Sequence, residues 1–201
     1  MLKRLLPVVV GVLVFILFYV ALKTKVILPL DESVAQWAIS FRDSSISPFL
    51  KFITDMYTPS ATIAFIVAVI ATLIIFKRFK ESIYFFTAVF GALIIKSYIK
   101  HFVMRPRPPY KIVDIGGYSF PSGHSTLSMA MGIALYFIVK SVSNSKTLSS
   151  IYLTIALLWA GFIGFTRLYF GAHWFSDVVS GWLLGFSWAY LMGILFFKES
   201  R

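Results

Sequence analysis

Six apolar segments, each about as long as a bilayer crossing requires, constrain this chain more than any other feature. They lie at about 5–22, 58–76, 82–100, 122–140, 149–167 and 173–197. A bilayer is crossed by roughly 20 helical residues, and because its interior holds no water, backbone polar groups there must bond to one another. We therefore expect an all-α fold, a bundle of six transmembrane helices, in a single integral membrane domain over residues 1–201.

The composition agrees with a membrane protein and excludes several kinds of site. Hydrophobic residues make up 59% of the chain and charged residues 13%, while cysteine is absent, which excludes disulfides, a thiolate nucleophile and a cysteine metal site. The formal net charge of +11 comes from cations scattered between the apolar segments. Anionic membrane lipids are therefore the expected partner and nucleic acid is not, and the sequence gives no indication of the oligomeric state.

The loop cations predict the orientation in the membrane. The first apolar segment follows a basic start and has no clear cleavage site, so we interpret it as an uncleaved signal anchor. If six helices alternate, one side carries Lys3, Arg4, Lys77, Arg78, Lys80, Lys140, Lys146, Lys198 and Arg201. The positive-inside rule makes that side, with both termini, cytoplasmic in a multi-pass inner-membrane protein. The opposite side is also rich in cations, but several of these belong to the candidate site below.

Residues 31–57, between the first two segments, are too polar to cross but show two amphipathic patterns. The first pattern follows Asp31, a candidate helix cap, and the second follows Ser47-Pro48, a typical helix start. We predict two short interfacial helices here. They either cover the outer end of the bundle or help to admit a lipid.

The stretch TRLYFGAHWFSD, residues 166–177, places polar side chains at the junction of the fifth and sixth segments. His173 and Asp177 are four residues apart and share one face of the predicted helix, where the carboxylate can fix the imidazole tautomer. The other ring nitrogen is then free to act as a nucleophile. Arg167 lies across the short turn. The same residues have an ordinary structural explanation, an interfacial pair and an arginine that reaches the headgroups.

The stretch Pro121-Ser122-Gly123-His124 stands where the fourth segment begins. Serine is a good helix cap, so an ordinary helix start explains it structurally. The same helix start can bind an anion through free backbone N–H groups at Ser122 and Gly123, and glycine allows close approach. His124 would then stand at the rim as a proton donor.

The stretch KHFVMRPRP, residues 100–108, follows the third segment. Its prolines end the helix, and alternate residues of the extended chain that follows point in opposite directions. We therefore do not expect Arg105 and Arg107 both to face the pocket, and one of them would lie at lipid headgroups or stabilise the loop. A basic patch beside the membrane is the ordinary explanation.

All three stretches fall on one side of the membrane once six segments alternate. A phosphomonoester carries about −1.5 to −2 charge at neutral pH, which three cations and a helix N-terminus can match. Gly181 and Gly185 continue the face of Asp177 and predict close helix packing there. The combination indicates a phosphate-handling site more specifically than any of its parts.

The three stretches together resemble the motifs of the type 2 phosphatidic acid phosphatase superfamily, lipid phosphate phosphatases related to vanadium haloperoxidases. The matching positions are Lys100, Arg107-Pro108, Pro121-Ser122-Gly123-His124, Thr166-Arg167, His173 and Asp177. Thr166 stands where the family usually has serine, and it keeps a hydroxyl. The motifs span residues 100–177, and the six-segment layout extends the likeness over nearly the whole chain.

The resemblance implies a role for each matching residue. His173 is the nucleophile that forms a phosphohistidine, Asp177 orients it, and His124 protonates the leaving lipid oxygen. Phosphate oxygens are bound by Lys100, Arg107, Arg167 and the backbone of Ser122 and Gly123. No cofactor and no metal is required, and His101 matches no motif position.

The expected activity is hydrolysis of a lipid phosphate at the outer face of the membrane. Phosphatidylglycerol phosphate, phosphatidate and undecaprenyl diphosphate are the candidate substrates. One alternative is a metal-dependent intramembrane hydrolase that uses Ser122 or Ser125 with His173, although the clustered cations would repel a divalent metal. The other is a non-catalytic lipid transporter or anion-binding protein.

Overall fold

The structure is a computed structural model that describes residues 2–43, 45–143 and 145–197. Within these residues all regular secondary structure is helical, which confirms the all-α prediction. The helices are α1 (Leu2–Lys23), α2 (Leu28–Ser40), α3 (Ser47–Asp55), α4 (Pro59–Ile75), α5 (Phe79–Val103), α6 (Gly123–Val142), α7 (Lys146–Tyr169) and α8 (Phe175–Phe196). Two of the predicted cytoplasmic cations, Lys198 and Arg201, lie outside the described residues.

The six long helices match the six apolar segments to within about three residues at nearly every end. Five of them, α1, α5, α6, α7 and α8, are long and apolar enough to cross a membrane. The remaining helix, α4, has 17 residues and meets that criterion only together with α3, from which it is bent by 53°. The described residues therefore contain five candidate spans, or six if the bent pair counts as one.

Helix α6 is the centre of the bundle and packs against α5, α7 and α8. The main hydrophobic core lies between α5, α6 and α8, with the aromatic rings of Tyr84 and Phe85 fully buried. On α8, a Cβ added to Gly181 would lie 2.6 Å from the carbonyl oxygen of Ser122, and one on Gly185 would meet the carbonyl oxygen of Thr126. The predicted close packing along this glycine face is confirmed.

The segment between α1 and α4 forms two short helices, as the amphipathic patterns predicted. Asp31, however, is not a helix cap. Helix α2 already begins at Leu28 with a proline in its first turn, so Asp31 lies inside that turn. Its carboxylate is fully buried and bonds to residues outside α2.

Candidate active site

The three polar stretches meet at one end of the bundle, where four helices end or begin. Helix α5 ends at Val103, the next residue, Met104, has a left-handed conformation (φ 51°), and prolines prevent the helix from continuing. The chain between α5 and α6 is held against this end because the Ser119 N–H donates to the carbonyl oxygen of Arg105 at 2.8 Å. Gly171, with φ of 61°, makes the tight turn from α7 to α8, where a Cβ would lie 2.9 Å from the carbonyl oxygen of Tyr110.

His173 lies in this turn, two residues before α8, rather than on the helix as predicted. The imidazole is 2% exposed, and its Nδ1 is 3.5 Å from Oδ2 of Asp177. That separation exceeds a hydrogen bond, and Nδ1 has no acceptor within the described residues. In enzymes, catalytic hydrogen bonds often reach their normal length only in the reacting complex.

The other ring nitrogen of His173 contacts Arg107. The Nη1 atom of Arg107 is 3.1 Å from Nε2, and because a guanidinium only donates, Nε2 must accept. The ring proton is then assigned to Nδ1, on the side of Asp177. Burial, followed by the positive charges of Lys100, Arg107 and Arg167, holds the pKa of His173 well below its usual range. The imidazole is therefore neutral at neutral pH, with the Nε2 lone pair directed at Arg107.

The three predicted cations surround this histidine from three different elements. Lys100, in the last turn of α5, donates to the carbonyl oxygen of Tyr118 at 2.6 Å. Arg107 also donates to the carbonyl oxygen of Ala172 at 2.7 Å. Arg167, near the end of α7, is buried, and its Nε has no acceptor within the described residues. A buried arginine with an unused donor is suited to binding an anion.

The start of α6 differs from the prediction in one respect. Ser122 is the N-cap, but its N–H donates to the carbonyl oxygen of Asp177 at 2.9 Å, so the predicted free N–H at Ser122 is wrong. The hydroxyl of Ser122 accepts from Ser125. In the described chain, the N–H groups of Gly123 and His124 have no acceptor. The free donors of this helix N-terminus are thus shifted by one residue.

A cavity of about 720 Å³ opens beside this helix start. The side chains of His124 and Arg167 line it, together with residues of α3 and of the segment 112–115. The ring of Tyr57 lies 5.9 Å from that of His124, centre to centre. His173 does not line this cavity, and its Nε2 contacts Arg107, so a phosphate that bonds to Nε2 must displace that contact.

The motif assignment left Arg105 outside the phosphate site, at the lipid headgroups or stabilising the loop, and the headgroup alternative is wrong. Its guanidinium is 6% exposed and lies between two carboxylates, 2.6 Å from Oδ1 of Asp177 and 2.5 Å from Oδ2 of Asp31. The loop does send Arg105 and Arg107 in different directions, as predicted, but Arg105 turns inward. No sequence signal indicated its partner, because Asp31 is 74 residues away.

Two more residues at this end were not found from the sequence. Thr54 of α3 accepts from Nη1 of Arg167 at 2.7 Å, and its hydroxyl is 3.2 Å from that of Thr166. Lys96 lies one turn before Lys100, half-buried, and its Nζ is 3.8 Å from the position of a Cβ on Gly123. It has no acceptor in the described parts of the chain. A lysine inside an apolar segment is a sequence feature that could have indicated a functional residue.

His101 lies apart from the site, exposed on α5, and bonds to the carbonyl oxygen of Ser97. Among the described residues, no group of three or more histidine, aspartate or glutamate side chains is placed to hold a metal ion.

Comparison with known proteins agrees with this fold and with the resemblance seen in the sequence. Phosphatidylglycerophosphatase B of Bacillus subtilis is 28% identical over 177 residues, 86% of each chain. An undecaprenyl-diphosphatase of Sulfolobus acidocaldarius is 27% identical over 136 residues, 64% of this chain and 61% of the relative. The crystal structure of the PAP2-type phosphatidylglycerolphosphate phosphatase of Bacillus subtilis superposes with a TM-score of 0.88 at 24% identity, covering 96% of this chain and 98% of that one. The model of the PAP2 superfamily matches residues 81–201, more than half of the sequence, and the chain therefore belongs to the PAP2 superfamily.

Proposed function

We propose that this chain removes a phosphate group from a membrane lipid through a phosphohistidine formed on His173. Its superfamily membership makes the chain a lipid phosphatase, as the motifs predicted. The lipid and the covalent intermediate are the proposal. One observation supports it most: Nε2 of His173 accepts from Arg107, while Nδ1 faces Asp177, which is the tautomer a nucleophilic histidine needs.

In the first step, the phosphate would take the place of Nε2 as the partner of Arg107, with Lys100, Arg167 and the free N–H groups of Gly123 and His124 around it. Nε2 attacks phosphorus, and the bond from phosphorus to the lipid oxygen breaks. His124 donates a proton to that oxygen. The Nδ1 proton stays with His173, held by Asp177.

In the second step, His124, now neutral, takes a proton from water. The water oxygen attacks phosphorus, the bond from phosphorus to Nε2 breaks, and inorganic phosphate leaves. The cations supply most of the stabilisation because they are already in place around the equatorial oxygens, which carry the charge of the transition state. No cofactor takes part in either step.

The proposed substrates are phosphatidylglycerol phosphate, phosphatidate and undecaprenyl diphosphate. The names of the Bacillus and Sulfolobus relatives support the first and the last. The cavity beside His124 has room for a lipid headgroup, and Arg167 and Lys51 in its lining can contact an anionic phosphate of any of the three. Surrounding membrane lipids are the other expected partner, and the oligomeric state is left open.

We further propose that the site faces the outside of the cytoplasmic membrane, with the N-terminus and the loop between α6 and α7 in the cytoplasm. The loop cations support this orientation. Because the chain has no cysteine, single cysteines introduced at Lys111 and Lys146 can be labelled in intact cells with an impermeant maleimide. Labelling only at position 111 is expected, and labelling only at position 146 would reverse the orientation.

The reaction is tested by phosphate release in detergent from a panel of the three candidate lipids. His173→Ala should lose at least about 10³-fold in kcat/KM, and His124→Ala roughly 10²- to 10⁴-fold, since each removes a reacting group. His101→Ala, an exposed histidine near the same end, is the matched control and should match wild type.

Two further measurements separate this proposal from its rivals. Activity should survive a chelator and be inhibited by vanadate, whereas the opposite pattern would indicate a metal-dependent hydrolase. Wild-type activity in His173→Ala would sink the phosphohistidine mechanism. No phosphate release from any lipid phosphate would point to a transporter or binding protein.

A further inference from the structure

Behind the reacting histidine lies a buried ionic network that joins the short helix α2 to the start of α8. We propose that Asp31 and Arg105 are positioning residues that set the orientation of Asp177 and, through it, the basicity of His173. This inference rests on the proposed role of His173. It assigns a function to α2 beyond covering the end of the bundle.

Asp31 ties α2 to the first turn of α8. Its Oδ1 accepts from the backbone N–H of Ser176 at 2.8 Å, and its Oδ2 accepts from the Ser176 hydroxyl at 2.7 Å. Both residues are fully buried. Because Ser176 directly precedes Asp177, these bonds fix the backbone that carries the orienting carboxylate.

Arg105 holds that carboxylate in one rotational position. Its Nη1 donates to Oδ1 of Asp177 at 2.6 Å and to the Ser176 hydroxyl at 2.8 Å, while Nη2 donates to Asp31. The second oxygen, Oδ2, accepts from the N–H of Trp174 at 2.9 Å and faces Nδ1 of His173. With both oxygens held, Asp177 presents Oδ2 to the imidazole without rotating.

The charges of the network also reach His173. One guanidinium stands between two carboxylates, so the charge of Asp31 partly offsets Arg105, and Asp177 keeps a negative charge towards the imidazole. If the charge of Asp31 is removed, Arg105 acts on Asp177 alone and the pKa of His173 should fall. If the charge of Arg105 is removed, two carboxylates face the imidazole and that pKa should rise.

The other charged and titratable groups facing His173 come from every element around it. They are Lys100 of α5, Arg107 of the following loop, His124 of α6, Arg167 of α7 and Asp177 of α8. Neither Asp31→Asn nor Arg105→Gln replaces any of these groups. The two opposite shifts therefore isolate the contribution of Asp31 and Arg105.

The test is the pH profile of kcat/KM for phosphatidate in detergent micelles, in which titration of the substrate is common to every variant. The acid limb should move to lower pH in Asp31→Asn and to higher pH in Arg105→Gln, by roughly half a pH unit or more in each case. The double variant should return towards wild type, because the opposed charges are removed together.

The matched controls separate charge from folding. Glu32→Gln removes a carboxylate from the neighbouring, exposed position of α2, where solvent screens it, and should leave the limb in place. Arg105→Lys keeps the charge and should keep the limb even where Tm falls. If Arg105→Gln does not fold, Asp31→Asn decides alone, since it keeps the shape and one of the two acceptor oxygens.

The inference is overturned if activity falls with Tm while the acid limbs of Asp31→Asn and Arg105→Gln stay in place or move in the same direction. The network would then be purely structural. A wild-type activity in His173→Ala would instead remove the proposed function on which the inference rests. If His173→Ala is inactive but the acid limb stays in place in Asp31→Asn and in Arg105→Gln, the inference is rejected and the proposed function stands.

Discussion

Arg105 and Arg107 are two residues apart, yet they belong to opposite kinds of environment. Arg105 is buried between Asp31 and Asp177, and its charge is more than compensated within the protein. Arg107 is half-buried and donates to neutral atoms, two glycine carbonyls, the Ala172 carbonyl and the His173 imidazole. In the extended chain, Arg105 therefore bonds to the carboxylates behind the site, and Arg107 points to the side proposed to bind the substrate.

The same contrast separates the two sides of His173. On the side of Asp177, every charge has a partner of opposite sign at hydrogen-bond distance. On the other side, Lys100, Arg107 and Arg167 have no carboxylate partner within the described residues, and Arg167 retains an unused donor. An arrangement of uncompensated cations is unfavourable alone and becomes favourable when a phosphate binds.

For this comparison, the largest expected effects on activity and stability come from substituting each arginine in turn. Arg107→Ala should lower kcat/KM by roughly 10²- to 10³-fold with little change in Tm, because it removes a half-exposed donor that acts on the transition state. Arg105→Met should lower the free energy of unfolding by about 3–5 kcal/mol, because two buried carboxylates lose the guanidinium that lies between them. Phosphate release and thermal unfolding in detergent measure the two effects.

Lysine replacements provide the control for this pair. Arg107→Lys keeps the charge but cannot make the two-pronged contact that a guanidinium can make with a phosphate, so part of the activity should remain. Equal losses of Tm in Arg107→Ala and Arg105→Met would mean that the two arginines do not differ in kind, and the comparison would fail.

A smaller effect is expected at Lys96, which sharpens the substrate side of the comparison. Its amine lies beside Gly123 and has no acceptor among the described residues, so it can add one cation for a more highly charged substrate. Lys96→Met should lower kcat/KM about tenfold for undecaprenyl diphosphate, the size of one charged hydrogen bond, and less for phosphatidate.

Lys23→Met is the matched control for Lys96, since Lys23 is an exposed lysine at the end of α1. It should leave both substrates unaffected. An equal loss for the monophosphate and the diphosphate in Lys96→Met would show that Lys96 serves the reacting phosphate and does not distinguish the substrates.

The long helices were predictable because the bilayer imposes one length and one kind of backbone pairing on every span. The local chemistry of the three polar stretches was predictable for a similar reason, since proline, glycine and serine mark where helices stop and start. The prediction of a free N–H at Ser122 was wrong because its acceptor, the carbonyl oxygen of Asp177, belongs to another helix.

The network at Asp31 could not be predicted from the local sequence, for the same physical reason. An aspartate in the first turn of a short helix is typical of an exposed cap, and only the packing of α2 on α8 buries it. Thr54 is similar, since it gains a role only when α3 lies against Arg167. Periodicity gives the elements, whereas contacts between distant elements decide which polar residues are buried together.

The smallest expected effect concerns the cations in front of His173 and the stability of the fold. The pKa of His173 is depressed in the folded protein and near 6.5 in the unfolded chain, so the unfolded chain binds the proton first as the pH falls. Its contribution to stability is therefore complete above pH 6.5 and is lost below it, at about 1.4 kcal/mol per pH unit until the folded pKa is reached.

His173→Gln has no such proton, so the difference in unfolding free energy between wild type and this variant should be constant above pH 7 and shrink between pH 6.5 and 5.5. His101→Gln, at an exposed histidine apart from the site, is the matched control for the substitution. Parallel curves for wild type and His173→Gln would mean that the imidazole is not held neutral, and that the cations facing it are compensated after all.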